Sequence, residues 1–354
     1  MMHLLHVVGA RPNFMKAAPV IRALADKGAR QTLVHTGQHY DFNMSQAFLE
    51  QLGMPAPEVN LEAGSSSHAK QTAEIMMRLE PVLLEGKPDI VLVYGDVNST
   101  VAAALVCSKL LITVVHVEAG LRSFDRTMPE EINRLLTDQI SEMLFTPSRE
   151  ANENLLREGI SQDKIRLVGN VMIDTLLRFL PESARHVPPG LPERFVLVTL
   201  HRPNNVDPPG SLRSLLGTLV ELSQGIPVLF PVHPRTRQRI IDLGPDIVPN
   251  GRLRLLDPLP YLPFLALEQS ATLVITDSGG IQEETTFLKV PCLTVRENTE
   301  RPITVTLGSN ILVGQEMGRL LEESGKVLAG HPKRGEIPPF WDGHAAERIA
   351  AALL

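Results

Sequence analysis

Short runs of branched apolar residues alternate along the chain with stretches of helical spacing. HLLHVV from His3, QTLVHT from Gln31, DIVLVY from Asp89, ITVVHV from Ile112, MLFT from Met143 and KIRLV from Lys164 form a first series. FVLVTL from Phe195, PVLFPV from Pro227, RLRLL from Arg252, ATLVIT from Ala271, PCLTV from Pro291 and NILV from Asn310 form a second. Runs of this length bounded by Gly, Pro or Asp suit strands buried on both faces. Helical spacing occupies 14–27, 68–86, 98–110, 130–141, 211–224, 235–242, 280–288 and 315–329, with a last helix at 344–354. Strands alternating with helices predict βαβ units and parallel sheets. The expected fold is therefore α/β, with two doubly wound, Rossmann-like domains facing a central cleft.

A chain of 354 residues is long enough for two domains with separate cores. The boundary is expected near Gly169 and Asn170. The N-terminal domain would take 1–169, with helix 344–354 packed on it, and the C-terminal nucleotide-binding domain 170–343. A net charge of −6 gives no general attraction for nucleic acid, so an anionic ligand would need local groups. The two cysteines, Cys107 and Cys292, sit in apolar segments and read as reduced core residues. The first residues read as a strand and not a leader, and no apolar run reaches about 18 residues, so a cytoplasmic protein without a membrane span is expected.

Unusual residues cluster just after the strands: GARPN (9–13), TGQH (36–39), GDVNS (95–99), HVEAGLR (116–122), LHRPNN (200–205), PVHP (231–234), TDSGG (276–280) and ENTERP (297–302). Open parallel sheets bind ligands at the carboxyl ends of their strands. Ser278, Gly279 and Gly280 make a strand-turn-helix whose first N–H groups suit a diphosphate; a plain helix cap at Ser278 is the ordinary alternative. Glu284 follows on that helix and suits ribose hydroxyls. Arg301 could complete a phosphate clamp, although most loop arginines are solvated. Arg11 and Lys16 flank the exit of the first strand. Lys16 lies early in a helix, a poor place for a cation unless an anion is near.

Asp96 and Glu118 end two central strands, and Glu130 opens a helix after Pro129. Three carboxylates at one pole suit acid/base chemistry, because close like charges raise one another's pKa. Capping would equally explain Asp96 and Glu130. His201 and His233 close two strands of the second series; either could face a ligand or be structural. No G-x-G-x-x-G follows the first strand, no Walker sequence occurs, and no metal-ligand spacing is present, so neither metal nor cofactor is expected.

The motifs GARPNFMKAAP (9–19), PDIVLVYGDVNST (88–100), HVEAGLRS (116–123), PEEINR (129–134), VGNVMIDT (168–175), TLHRPNN (199–205), PVHP (231–234), YLPF (261–264), TDSGGIQEE (276–284) and RENTERP (296–302), in this order, resemble the non-hydrolysing UDP-N-acetylglucosamine 2-epimerases. The resemblance covers nearly the whole chain. It implies a glycosyltransferase-B type fold, a homodimer, a role in cell-envelope polysaccharide biosynthesis, and a reaction with no metal or redox cofactor. It also implies that Arg11, Lys16, Asp96, Glu118, His201, Phe264, Ser278, Gly279, Gly280, Glu284 and Arg301 line the UDP-sugar site, with Asp96, Glu118 and Glu130 as acid/base candidates; from their places at strand ends, His233 is added to the binding residues and His201 to the catalytic candidates. Many family members read His-Arg-Arg-Glu where this chain has His201-Arg202-Pro203-Asn204, and Glu-Arg-Pro-Glu where it has Glu300-Arg301-Pro302-Ile303. These departures leave the exact sugar open. The rival functions are a hydrolysing 2-epimerase, a glycosyltransferase of the same fold, and a non-enzymatic nucleotide-sugar sensor.

Overall fold

The structure is a computed structural model that describes residues 2–37, 49–244, 247 and 251–354. Gln38 and His39 of the second loop motif lie outside the described residues. The chain divides into two compact units, Met1–Thr175 with Pro339–Leu354, and Leu176–Pro338.

The first unit carries β1 (His3–Val8), α1 (Arg11–Asp26), β2 (Arg30–His35), β3 (Val59–Asn60), α2 (His68–Gly86), β4 (Ile90–Tyr94), α3 (Asn98–Lys109), β5 (Thr113–Val117), α4 (Pro129–Ile140), β6 (Met143–Thr146), α5 (Arg149–Arg157) and β7 (Ile165–Leu167). Helix α6 (Val171–Ser183) runs through the division. The boundary therefore falls inside a helix and not at Gly169. The second unit carries β8 (Val196–Thr199), α7 (Pro203–Val206), α8 (Pro209–Gly225), β9 (Val228–Pro231), α9 (Pro234–Asp242), β10 (Leu253–Leu256), α10 (Tyr261–Ser270), β11 (Leu273–Thr276), α11 (Gly279–Leu288), β12 (Cys292–Thr294), α12 (Ile303–Thr306), β13 (Asn310–Leu312) and α13 (Met317–Leu328). The last helix, α14 (Ala345–Leu353), belongs to the first unit, where Asp174 accepts hydrogen bonds from the Ala345 and Ala346 amides.

All strand pairs are parallel. The first sheet runs β3-β2-β1-β4-β5-β6-β7 and the second β10-β9-β8-β11-β12-β13. Each chain segment winds outward from one strand and then outward on its other side. The reversal lies between β1 and β4 in one sheet and between β8 and β11 in the other. Loops leave such a switch point in opposite directions and open a crevice at the strand ends.

The strand cores are Val, Leu and Ile, buried on both faces as helices cover the sheet. One polar residue sits deep in β1. His6 accepts a hydrogen bond from the Tyr94 hydroxyl at Nδ1 (2.7 Å) and donates from Nε2 to Gln31 Oε1 (2.9 Å). Among the described residues, no helix is long and apolar enough to cross a membrane.

Candidate active site

In the first unit the loops after β1, β4 and β5 meet. Asn13 clamps two of them: its Oδ1 accepts from the Gly9 and Ala10 amides, and its Nδ2 donates to the Tyr94 carbonyl (2.7 Å). Lys16, in the second turn of α1, reaches across to Glu118 after β5, with Nζ 2.5 Å from Oε2. Both side chains are about 95% buried, at 5% and 3% exposure. The anion that a cation in this position demands is thus supplied by the protein itself. Glu118 takes φ 74°, a left-handed conformation that costs a residue with a side chain about 1–3 kcal/mol. Its amide and that of Ala119 both donate to the Phe145 carbonyl, which holds the turn in place.

Asp96 is ion-paired with Arg134 of α4, and its carbonyl accepts from Asn133 Nδ2. Arg134 also meets Glu131 (3.0 Å), whose oxygens accept from the Ser123 amide and hydroxyl and the Phe124 amide. Glu130, the neighbour predicted as a candidate, is half-buried in the first turn of α4. The expectation that like charges dominate at this pole needs correcting, because Asp96 and Glu118 each sit against a cation.

Beneath these loops lies a buried support. His116 donates to Asp138 through Nδ1 (2.6 Å) and to the Gly95 carbonyl through Nε2 (2.8 Å). Burial opposes ionisation of Asp138, but the His116 ring and the Arg122 guanidinium hold its carboxyl below the usual carboxylate range. Asp138 also accepts from the Gly120 amide, so one carboxylate braces both the Gly95-Asp96 turn and the Glu118 turn. Arg11, by contrast, is exposed at the first position of α1.

In the second unit the crevice between β8 and β11 is bridged by Asp277. This fully buried carboxylate accepts from the His201 amide (3.0 Å), the Arg202 amide (2.9 Å) and Asn205 Nδ2 (3.0 Å). Burial opposes its charge, yet these donors and the His201 ring hold its pKa down. His201 Nδ1 lies 3.1 Å from Asp277 Oδ1, and the ring is 58% exposed. Its orientation is therefore set from below while the ring faces outward.

Ser278 occupies the N-cap position of α11 but makes no side-chain cap. Gly279 and Gly280 follow at the first turn, half-buried. Arg301 lies directly against Gly279, where a Cβ would stand 2.4 Å from its Nη1. Its Nε meets Glu283 (2.8 Å) and its Nη1 meets Glu300 (2.8 Å). Glu300 also pairs with Arg296 (2.6 Å) and lies 3.6 Å from Arg202. Three arginines thus converge on one carboxylate near an N-terminus with positive backbone potential, a constellation suited to a polyanion. Glu284 is buried in the second turn of α11 and accepts from the Tyr261 hydroxyl (2.8 Å). Phe264, half-buried, packs against the apolar cluster under α10. His233 is exposed and caps α9, its Nδ1 accepting from the Arg235 amide (3.3 Å). That assigns it a structural task.

A sequence profile of the family described as UDP-N-acetylglucosamine 2-epimerase matches residues 22–354. The chain belongs to this family. It is 44% identical to the UDP-N-acetylglucosamine 2-epimerase of Methanocaldococcus jannaschii over 98% of this chain and 97% of that protein. It is 43% identical to the UDP-2,3-diacetamido-2,3-dideoxy-D-glucuronate 2-epimerase of Pseudomonas aeruginosa, over 99% of both. The crystal structure of the M. jannaschii enzyme in complex with UDP-GlcNAc and UDP matches with a TM-score of 0.90 at 43% identity, over 99% of both chains. The two parallel α/β sheets are those of the glycosyltransferase-B-like epimerases.

Several residues of the candidate site do not stand out in the sequence. Asp277, Arg134, Asn13 and His116 all lie within the quoted motifs, yet their importance comes from partners far away in sequence. Tyr261 opens the quoted YLPF motif, but Glu268 carried no signal, because α10 is apolar around most of its circumference and gave no helical stripe.

Proposed function

We propose that the chain interconverts UDP-N-acetylglucosamine and UDP-N-acetylmannosamine by eliminating and re-adding UDP. The observation that carries this reading is the charged architecture of the strand ends, found in a chain 44% identical over 98% of its length to an enzyme of that name. A carboxylate of the Asp96 and Glu118 pair takes the proton from sugar C2 as the C1–O bond to UDP breaks. The products held are 2-acetamidoglucal and UDP. A proton returned to the opposite face of C2, with the phosphate oxygen adding back to C1, completes the exchange, and no electrons leave the system. C2 has no neighbouring carbonyl to acidify it, so the leaving diphosphate must be strongly stabilised. The open N-terminus of α11 and Arg301 serve that need. Lys16 and Arg134 keep Glu118 and Asp96 oriented, with Glu130 assisting. His201, set by Asp277, acts on the same UDP-sugar. Arg11 and Phe264 complete the binding groups, with Ser278, Gly279, Gly280 and Glu284 on the nucleotide.

The test is product analysis by NMR with UDP-N-acetylglucosamine as sole substrate in heavy water. UDP-N-acetylmannosamine with deuterium at C2 of both epimers is expected. Free sugar would indicate a hydrolysing enzyme, and retention of the original C2 hydrogen would rule out the elimination. One observation favours a second reading of the sugar: the P. aeruginosa relative, named for a diacetamido glucuronate, is almost equally similar. The same assay with that UDP-sugar decides between them by kcat/KM. We further propose that the enzyme is a homodimer acting in the cytoplasm on precursors of cell-envelope polysaccharide. The family resemblance supports the dimer, and the two buried free thiols of Cys107 and Cys292 support a reducing compartment. Light scattering at working concentration tests the dimer.

A further inference from the structure

Glu268 is an anomaly in the second unit. It sits on α10 with no exposed surface, and neither carboxyl oxygen receives an N–H or O–H donor among the described residues. Its neighbour is another carboxyl. Glu284 of α11 is 2% exposed, and its carboxyl adjoins that of Glu268. A hydrogen bond between two carboxyls requires a proton on one of them. Ionising both in a buried site would set two like charges in contact without water, which strongly favours keeping one proton. The partners decide which one keeps the proton. Glu284 accepts from the Tyr261 hydroxyl at 2.8 Å, which favours its charge, whereas Glu268 has no such donor.

We propose that Glu268 is a permanently neutral carboxylic acid that donates its proton in a hydrogen bond to Glu284, positioning that carboxylate to accept from the ribose hydroxyls of the nucleotide. The surroundings agree. Burial pushes Glu268 well above the ordinary carboxylate range, and the nearby Glu284 pushes it further. Burial also lifts the Tyr261 hydroxyl and sends the Cys292 thiol up to about 12, so neither brings a charge to the pair. Tyr261 and Glu268 then hold Glu284 by two donors and leave its remaining lone pairs for a diol. Glu268 is a positioning residue in this scheme: it touches Glu284 and not the ligand.

The proposal rests on the reading of Glu284 as the ribose acceptor, and the experiment separates the two. Calorimetry is run with UDP and with its 2′,3′-dideoxy analogue on the wild type, Glu268→Gln and Glu268→Leu. The wild type should prefer UDP by at least about tenfold, the worth of a charged hydrogen bond. Glu268→Gln keeps a donor and should keep that preference. Glu268→Leu removes the donor and should lose most of it. A leucine variant that discriminates like the wild type overturns the positioning role. A wild type that does not discriminate overturns instead the ribose reading of Glu284. Infrared spectroscopy of the ligand-free protein in mildly alkaline buffer tests the proton directly, and it also serves if the leucine variant fails to fold. A protonated-carboxyl band should be present in the wild type and missing in Glu268→Gln. A wild type without that band would show that Glu268 is charged, and the proposal would fall.

Discussion

Replacing Gly279 by alanine adds one methyl group at a crowded point of the second unit. That Cβ would stand 2.4 Å from Arg301 Nη1, 2.8 Å from its Cζ and 3.2 Å from Glu300 Oε1, where ordinary contacts begin near 3.4 Å. The guanidinium must retreat, and it is not free to do so. Its Nε and Nη1 bonds to Glu283 and Glu300 are both 2.8 Å long, and all three side chains are buried. Loosening one charge-assisted hydrogen bond costs about 1.5–3 kcal/mol. The helix-forming advantage of alanine over glycine is at most about 1 kcal/mol, so the clash wins. If Arg301 grips the diphosphate, UDP affinity should fall about 10- to 150-fold, and the protein should melt at a lower temperature. Gly217 provides the control. It is exposed within α8 with no atom within 4 Å of its virtual Cβ, so Gly217→Ala should leave UDP binding alone and stabilise by about 0.5–1 kcal/mol. Calorimetric titration with UDP and a thermal melt read both effects. A Gly279→Ala protein that binds UDP and melts like the wild type would refute the packing argument and the role of Arg301 together.

Asp96→Asn and Glu118→Gln preserve shape but cannot take a proton, so each should slow epimerisation about 10²- to 10⁴-fold with UDP affinity nearly unchanged. Near wild-type turnover in both would leave His201 as the next candidate base. Arg301→Ala should weaken UDP binding about 10- to 150-fold by calorimetry, and an unchanged dissociation constant would remove it from the phosphate site. His6 is held neutral, its pKa lowered by burial from 6.5 to about 4 despite the Gln31 hydrogen bond. Its contribution, up to about 3 kcal/mol, is therefore present above the unfolded pKa and lost as pH falls from 6.5 toward 4. Urea unfolding followed by fluorescence of Trp341, the single tryptophan and in the same unit, should show that slope, and a flat profile over the window would contradict it.

Much of this protein is legible from its one-dimensional pattern. Parallel strands buried on both faces leave unbroken apolar runs, so all the longer strands could be placed to within a residue or two. Their alternation with helices implied two doubly wound sheets, and the loops after the strands contained the polar residues that the sheets gather at their switch points. Elements without that signature were lost. Strand β3 is two residues long, and α10 is apolar around most of its surface. The division falls inside helix α6, past the expected boundary at Gly169, because compactness and not composition divides the units. The larger gap concerns charge. Sequence could present Lys16, Asp96, Glu118, Asp277 and Arg301 as charged residues in the segments after strands and Arg134 as one within a helix, but an ion pair acts over a few ångströms and its partners are distant along the chain. Only the folded structure set Lys16 on Glu118, Arg134 on Asp96, and the His201 ring on Asp277. The proton that holds Glu268 against Glu284 was equally invisible, since it depends on two helices excluding water from both carboxyls at once.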